Sequence, residues 1–583
     1  MASEQHLTGE SLQSSCPETA PREVLDEPTN EAFTTLDRLA SQEPGFAQHL
    51  LYKPVPVSVP ARVSPYPTFT ALPGYVKPLT THITADDLAY LEINGALTLP
   101  SRKCQEQLIW CFFEYVYPLM PIVDLDTFAQ ALESPGGSPG GISLLLLQAV
   151  LFAGSAHIKL EQLRDAGFST SEEARKVLFR RAQLLYDSGT EADPLVLVQA
   201  LTLMTLWYES SEQHRNTWHR SKTALSQCYA AGFHMDPSRS SLSLSSNTQK
   251  LRRRVWWVCF MRERILSLGM RQPQRLNEVD HSVLLLESSD FESSFQRPKS
   301  FQKFCSYAND KTKSGKLAYL CIMMAKLCCC MRPHISIHDA SHRKAARSDE
   351  FDLFSLLRNK ERSAFTDCNE DLLEWRKSLS EPCKTLPLVY SSKNPAKSTL
   401  ILNEMLLEMT YLAIIATRHR ERFISLGHGS GDSLLNRELS KLHMQNAASQ
   451  ISSMTEEIHR CGLDTLLPSM AIGVLMTAAS IHRLDPQGIT HGEKRRAMRG
   501  FRQCMAVVSS LKSIYVASEP AEDSIDWAFL INDTSSSQLL GSHVNTSSHY
   551  TDSLDIFNEF LDLGTATSPS CSNSNKTNGE ALT

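Results

Sequence analysis

Cys328, Cys329 and Cys330, with His334 and His338 a few residues on, form the densest group of potential metal ligands in the chain. Three consecutive thiols on a helix point in three directions, roughly 100° apart, and Pro333 ends the element before either histidine. That geometry does not converge on one ion, so the group reads as buried thiols followed by surface histidines. Gly427-His428-Gly429-Ser430-Gly431 has the flexibility of a phosphate-binding loop but lacks its lysine, the G-x-S-x-G spacing and a preceding strand. No H-E-x-x-H pair and no dinucleotide fingerprint in strand–helix context occur. The residues offer no catalytic constellation, metal site or cofactor site, and the expected chemistry is recognition.

The stretch that must be positioned with most care runs from Lys250 to Asn277, KLRRRVWWVCFMRERILSLGMRQPQRLN. Arg252, Arg253 and Arg254 enter an apolar run from Val255 to Met261 that contains Trp256, Trp257 and Phe260. Arg262, Glu263 and Arg264 follow, then Ile265 to Gly269. At helical period Leu251, Val255, Cys259 and Leu266 share a stripe, while the tryptophans and Phe260 fill much of the remainder. A helix apolar nearly all round belongs inside a larger body. Its charges then need partners or an edge position, because unpaired buried charge is costly. Gly269 and Pro273 read as the stop.

Other segments supply the surroundings. A strongly apolar helical entry opens at Leu108, with Asp126-Thr127-Phe128 as the next cap. Ile142 to Ala156 reads as a buried helix, and Leu195 to Met204 is a further apolar run, followed by a polar turn at 209–216. Trp218 opens a helix in which Ala224, Cys228, Ala230 and Ala231 allow close approach, and Gly232 suits a left-handed cap. His234, just beyond, is read as a hydrogen-bonded side chain near a helix end and not as a ligand. Helical patterns recur at 317–331, 399–418, 442–461, 470–482 and 497–516, and strand patterns are scarce. The expected fold is all-α, a single large helical array between disordered N-terminal and C-terminal tails.

Composition is consistent with this. Of 583 residues 42% are hydrophobic, ample for a large core, and the net charge of −6 gives no general attraction to nucleic acid. Fifteen cysteines, several inside apolar runs, suit reduced thiols in an intracellular protein. No apolar run reads as a membrane helix, so no membrane partner is expected. Short basic clusters at His342-Arg343-Lys344, at 493–496 and at Arg252–Arg254 could serve nuclear import, though solvated helix faces explain them as well.

The segment from Arg252 to Pro273 resembles the signature of the fungal-specific transcription factor domain, the regulatory region of fungal zinc-cluster regulators. R-R-R-hydrophobic-W-W, an arginine-flanked acid, a glycine and a proline occupy the expected places, with Glu263 where aspartate is commoner. Gln199, Trp218, Gly232, His234, Asp236 and Pro237 also match, as do the aromatic run at Leu108 to Ile122 (with Tyr117 in place of histidine) and Tyr515 to Ser518. The resemblance implies a nuclear transcriptional regulator of a metabolic or secondary-metabolite pathway, with its helical body at 96–518. The signature residues are expected to be structural. The alternative is a helical small-molecule-binding or catalytic domain derived from such regulators.

Residues 1–95 are rich in Pro, Ser and Thr and read as disordered. They hold only Cys16, whereas two zinc ions in a binuclear cluster need six thiolates. DNA is therefore expected to be reached indirectly, through a DNA-binding transcription factor or a homo- or heterodimer partner. The tail 519–583 is acidic and rich in Ser and Thr. Within 552–564, Leu554, Phe557 and Leu561 make one helical line and Ile556, Phe560 and Leu563 its neighbour, interleaved with acids. That pattern suits an activation segment folding into a coactivator groove. A purified 1–95 fragment should accordingly show no preference for any operator over scrambled DNA at physiological salt. Marked sequence-selective binding in a mobility-shift assay would contradict this.

Overall fold

The structure is a computed structural model that describes residues 72–79, 82–133, 141–208, 214–236, 244–270, 281–292, 302–331, 365–366, 368–379, 395–425, 432–484 and 491–515. The chain divides into units at 1–69 and 70–583, and every described residue lies in the second. The elements are α1 (Ala85–Ile93), α2 (Arg102–Cys111), a π-turn (Phe112–Val116), α3 (Leu125–Glu133), α4 (Leu144–Gly154), α5 (Leu160–Arg164) and α6 (Ser171–Asp187). They continue through α7 (Pro194–Met204), α8 (His214–Ala230), α9 (Ser246–Met270) and α10 (Lys311–Cys329). The last are α11 (Pro395–Ser425), α12 (Asp432–Arg460), α13 (Met470–His482) and α14 (His491–Tyr515). The described residues are all-α, and the only β-type pairing among them is an isolated bridge between Val76 and Ile142.

Three short helices are apolar on every side and form the centre. All eleven residues of α4, LLLLQAVLFAG, are buried, and α7 and α13 are nearly so. Such sequences have no solvent face to present, so other helices must surround them. Their starts are set locally. Asp193 accepts the Leu195 amide at 2.9 Å, and Pro194, which has no amide to orphan, occupies the first helical position. Thr170 accepts the Glu173 amide at the start of α6. At α3 the cap is Asp124, whose Oδ1 accepts the Thr127 amide at 3.0 Å, and not Asp126 as the sequence suggested. Asp126 already lies within the helix. α1 falls inside the N-terminal stretch expected to lack helix, and is capped by Thr84 through the Asp87 amide.

The π-turn brings Glu114 fully inside. Its carboxylate accepts the Ser306 amide at 2.8 Å, the Ser306 hydroxyl at 2.9 Å and the Thr399 hydroxyl at 3.1 Å. Those bonds satisfy a buried acid with neutral donors and tie α11 to the start of the body.

α9 packs against α7, α8, α10 and α13. Gly269 does not terminate it. The helix continues to Met270, and a Cβ on Gly269 would stand 2.9 Å from the Gly473 Cα of α13, with 2.8 Å for the reverse. The two glycines let the backbones of α9 and α13 touch. By contrast Gly232 is the expected left-handed cap, with φ +67° and a Phe233 amide bond to the Cys228 carbonyl at 2.8 Å. In α11 the stretch Thr399–Ile424 is long and apolar enough to cross a membrane, contrary to the sequence reading. Glu404 and Glu408 disguise the run. Two thirds of its most apolar window is buried in the protein, so its apolar surface is taken up by packing.

Gly154 and Gly315 give an internally controlled test. A Cβ on Gly154 would lie 2.0 Å from the Leu108 carbonyl oxygen, while one on Gly315, within α10, meets nothing within 4 Å. Gly154→Ala should lower stability by about 1–3 kcal/mol through forced separation of α2 and α4. Gly315→Ala should raise it by about 0.5–1 kcal/mol through helix propensity. Urea denaturation of both variants beside the parent checks the sign of each.

Candidate regulatory core around the signature helix

Each charged residue of α9 has a distinct destination. Arg252, half-buried, donates to the Ala231 carbonyl at 2.7 Å and lies over the Phe233 ring at 4.6 Å. Burial lowers its pKa, and Asp193 opposes that. Arg253 pairs with the buried Asp290 at 3.0 Å, whose other oxygen accepts the Glu287 amide at 2.9 Å. Arg254 donates to the Tyr117 hydroxyl at 3.0 Å and to Asp124 at 3.4 Å. Asp124 is the α3 cap, so one carboxylate serves a helix start and a buried cation together. Arg264, fully buried, lies over Phe260 at 4.9 Å with Glu263 at 4.0 Å.

Trp256 and Trp257 are both buried. The Trp257 indole donates to the Leu284 carbonyl at 2.8 Å, and its ring meets Phe260 and His281 edge-on. Trp256 sits among Tyr229, His234 and His281. His234 stacks obliquely on Tyr229 at 4.6 Å, and its carbonyl accepts the Ser282 amide. Trp218 is half-buried with the Lys222 ammonium over its ring at 5.1 Å. Pro273, His334, His338, Leu554, Phe557, Phe560 and Leu561 lie outside the described residues. Among the described residues no group of three metal-capable side chains converges, and burial pushes the Cys328 thiol well above its ordinary range.

A second cluster was not singled out from sequence. Arg262 donates from Nε to the Thr205 hydroxyl at 2.9 Å and from Nη2 to the Thr205 carbonyl at 2.6 Å, with the Tyr208 hydroxyl at 3.4 Å. Arg175 of α6, fully buried, lies 4.9 to 5.4 Å from the rings of Phe152, Trp207 and Tyr515 and donates to the Leu206 carbonyl. Burial lowers its pKa to about 10, which leaves it charged. Among the described residues neither guanidinium has a carboxylate partner. Tyr515 closes the cluster from the end of α14. Its hydroxyl donates to the Leu467 carbonyl at 3.1 Å and also meets His157 Nε2 at 3.3 Å. Six separate segments meet here, so nothing local in the sequence marks the cluster as a whole. The Tyr515 match at the end of the family pattern was the one available signal.

Among the described residues the arrangement stabilises a packed core. Comparison with known proteins gives the family. The profile of the fungal specific transcription factor domain matches residues 110–392. The chain is 30% identical over 462 residues to transcription factor cpaR of Aspergillus oryzae, covering 76% of this chain and 72% of that protein. The chain belongs to the fungal-specific transcription factor domain family. It is also 35% identical over 467 residues to cutinase transcription factor 1 beta of Fusarium vanettenii, covering 78% of this chain and 53% of that protein. Fusaric acid cluster transcription factor FUB12 of Gibberella moniliformis is 28% identical over 210 residues, 36% of this chain and 30% of that protein. The chain spans about half the length of the first relatives it matches. No solved structure matches.

Within this family member two histidines make the core sensitive to acid. Burial, reinforced by the charge of Arg175, holds His157 at about 3, against a smaller raising contribution from its bond to the Thr465 backbone. Burial and the neighbouring His443, Arg422 and Arg418 hold His419 at about 4. Both are neutral in the folded protein at pH 7, and in the unfolded chain both protonate near the ordinary value of about 6.5. The unfolded state therefore binds more protons below that pH. Stability is fully present above about pH 6.5 and falls as pH drops toward 4 and then 3. Each histidine contributes a slope of at most about 1.4 kcal/mol per pH unit. Urea unfolding between pH 7 and 5 should show His157→Gln shallower by close to one proton. An unchanged slope would mean that His157 is not held neutral.

Proposed function

We propose that this chain is a nuclear, pathway-specific regulator of transcription whose helical body receives and relays regulation without itself reading DNA. The observation that carries this is the fate of the basic run in α9. Arg252, Arg253 and Arg254 are spent on Ala231 and Phe233, on Asp290, and on Tyr117 and Asp124. A cation held against an internal acid is not available to neutralise a phosphate, and the net charge of −6 adds no compensating field. DNA is then reached through a partner, a zinc-cluster factor or a related chain.

The names of the relatives, regulators of cutinase and of a fusaric acid cluster, support a catabolic or secondary-metabolite pathway as the target. The acidic tail supplies the output. In the sequence Asp552, Asp555, Glu559 and Asp562 are interleaved with Leu554, Phe557, Phe560 and Leu561, the pattern a coactivator groove recognises. Fused to a heterologous DNA-binding domain, residues 519–583 should activate a reporter at least several-fold, and Phe557→Ala with Phe560→Ala should abolish that activity. A silent fusion, together with loss of full-length stability in the same double variant, would show that the segment packs on the body instead.

A further inference from the structure

Beneath α9 lies a cavity of about 50 Å³, walled by Leu119, Met120, Val258, Ile265 and Met324 and closed at its polar end by Arg262, Ser469 and Tyr515. A single water needs about 10–15 Å³ on this measure, so the space admits a molecule of about four to six non-hydrogen atoms. Its walls are apolar, and methionine side chains adapt readily to an occupant.

The polar end is unusual for an empty void. Arg262, 6% exposed, has only neutral oxygens for partners among the described residues. Arg175 brings a second buried positive charge over the Tyr515 ring, at 5.3 Å. Ser469 is 1% exposed, and its hydroxyl has no hydrogen-bond partner. It occupies the cap position of α13 but makes no capping bond, and the first turn of that helix has no acidic residue. A buried hydroxyl left unpaired, beside a guanidinium without a counter-ion and the positive end of a thirteen-residue helix, is an uncompensated arrangement. One anion would satisfy all three.

We propose that this cavity binds a short-chain organic monocarboxylate. The carboxylate is held by Arg262, the Ser469 hydroxyl and the amino end of α13, and the hydrocarbon lies against Met120, Val258 and Ile265. A sulfate or phosphate satisfies the charge but not the apolar walls. An alcohol or alkane fills the walls and leaves the guanidinium unpaired. Only an amphiphile of this size satisfies both. The inference stands on the cavity alone and does not depend on the regulatory reading.

The test uses the full chain and three probes at equal ionic strength: sodium butyrate, butyramide and sodium chloride. Butyrate should raise the melting temperature saturably, while butyramide and chloride do not. Ser469→Ala should weaken the butyrate response about tenfold with little change in the unliganded melting temperature, because the lost hydroxyl had no partner to leave behind. Ala153→Leu, which fills the cavity from α4, should abolish the response with the helical circular dichroism retained. A butyrate response no larger than that of chloride overturns the proposal. So does an equal response to butyramide, which removes the requirement for charge, or an unchanged affinity in Ser469→Ala, which places binding elsewhere.

Discussion

Carrying a guanidinium into an apolar interior costs several kcal/mol unless the partners are already in place, and α9 carries three of them inside. Arg254, Arg262 and Arg264 are each under 10% exposed. That cost dictates what must surround the helix. Asp124 has to be ordered, and with it the start of α3. Thr205 has to stand at the end of α7 with its hydroxyl and its carbonyl both facing α9. Phe260 has to present its ring. The partners of Arg254 and Arg262 come from residues 57 to 137 positions away. The bonds of one helix therefore hold the first half of the body in register.

Close backbone approach does for the second half what charge does for the first. Gly269 and Gly473 allow the backbones of α9 and α13 to meet at van der Waals distance. α13 in turn packs on α11, α12 and α14. The end of α14 then returns across the molecule. The Tyr208 amide donates to the Tyr515 carbonyl at 3.0 Å, and the Tyr515 hydroxyl reaches His157. Small residues and one terminal tyrosine thus make the link between α9 and the second half, since α13, MAIGVLMTAASIH, has no acidic residue to pair with the arginines of α9.

How much of this could be read in advance follows from which costs are local. The all-helical class, the burial of α4, α7 and α9 and the Gly232 cap all depend on residues within one or two turns, and periodicity reveals them. The need of Arg262 and Arg264 for partners was also legible from their place beside Trp256 and Trp257, whereas Arg254 read as part of a solvated basic entry. The identity of those partners was not, since Tyr117, Asp124 and Thr205 lie on other elements. Gly269 misled for the same reason. A glycine near a proline resembles a stop, and only the position of Gly473 shows that it serves a crossing. Glu114 carried no signal at all, being one acid in an aromatic run whose π-turn rotates it inward.

The distinction bears on why a run of arginines and tryptophans identifies this family. A sequence pattern persists as a compact motif when a single helix contains most of the groups that must be satisfied, and α9 does. The cavity beside it has no such motif, although Val258, Met261, Arg262 and Ile265 of α9 line it. Its other walls come from the π-turn, α4, α10, α13 and the last residue of α14. Residues on those other elements can change one at a time without disturbing the ion pairs that hold α9. A fold held by one helix and a cavity lined by six elements can keep its architecture while the shape of the cavity varies, and that separation suits a domain whose relatives bear the names of different pathways.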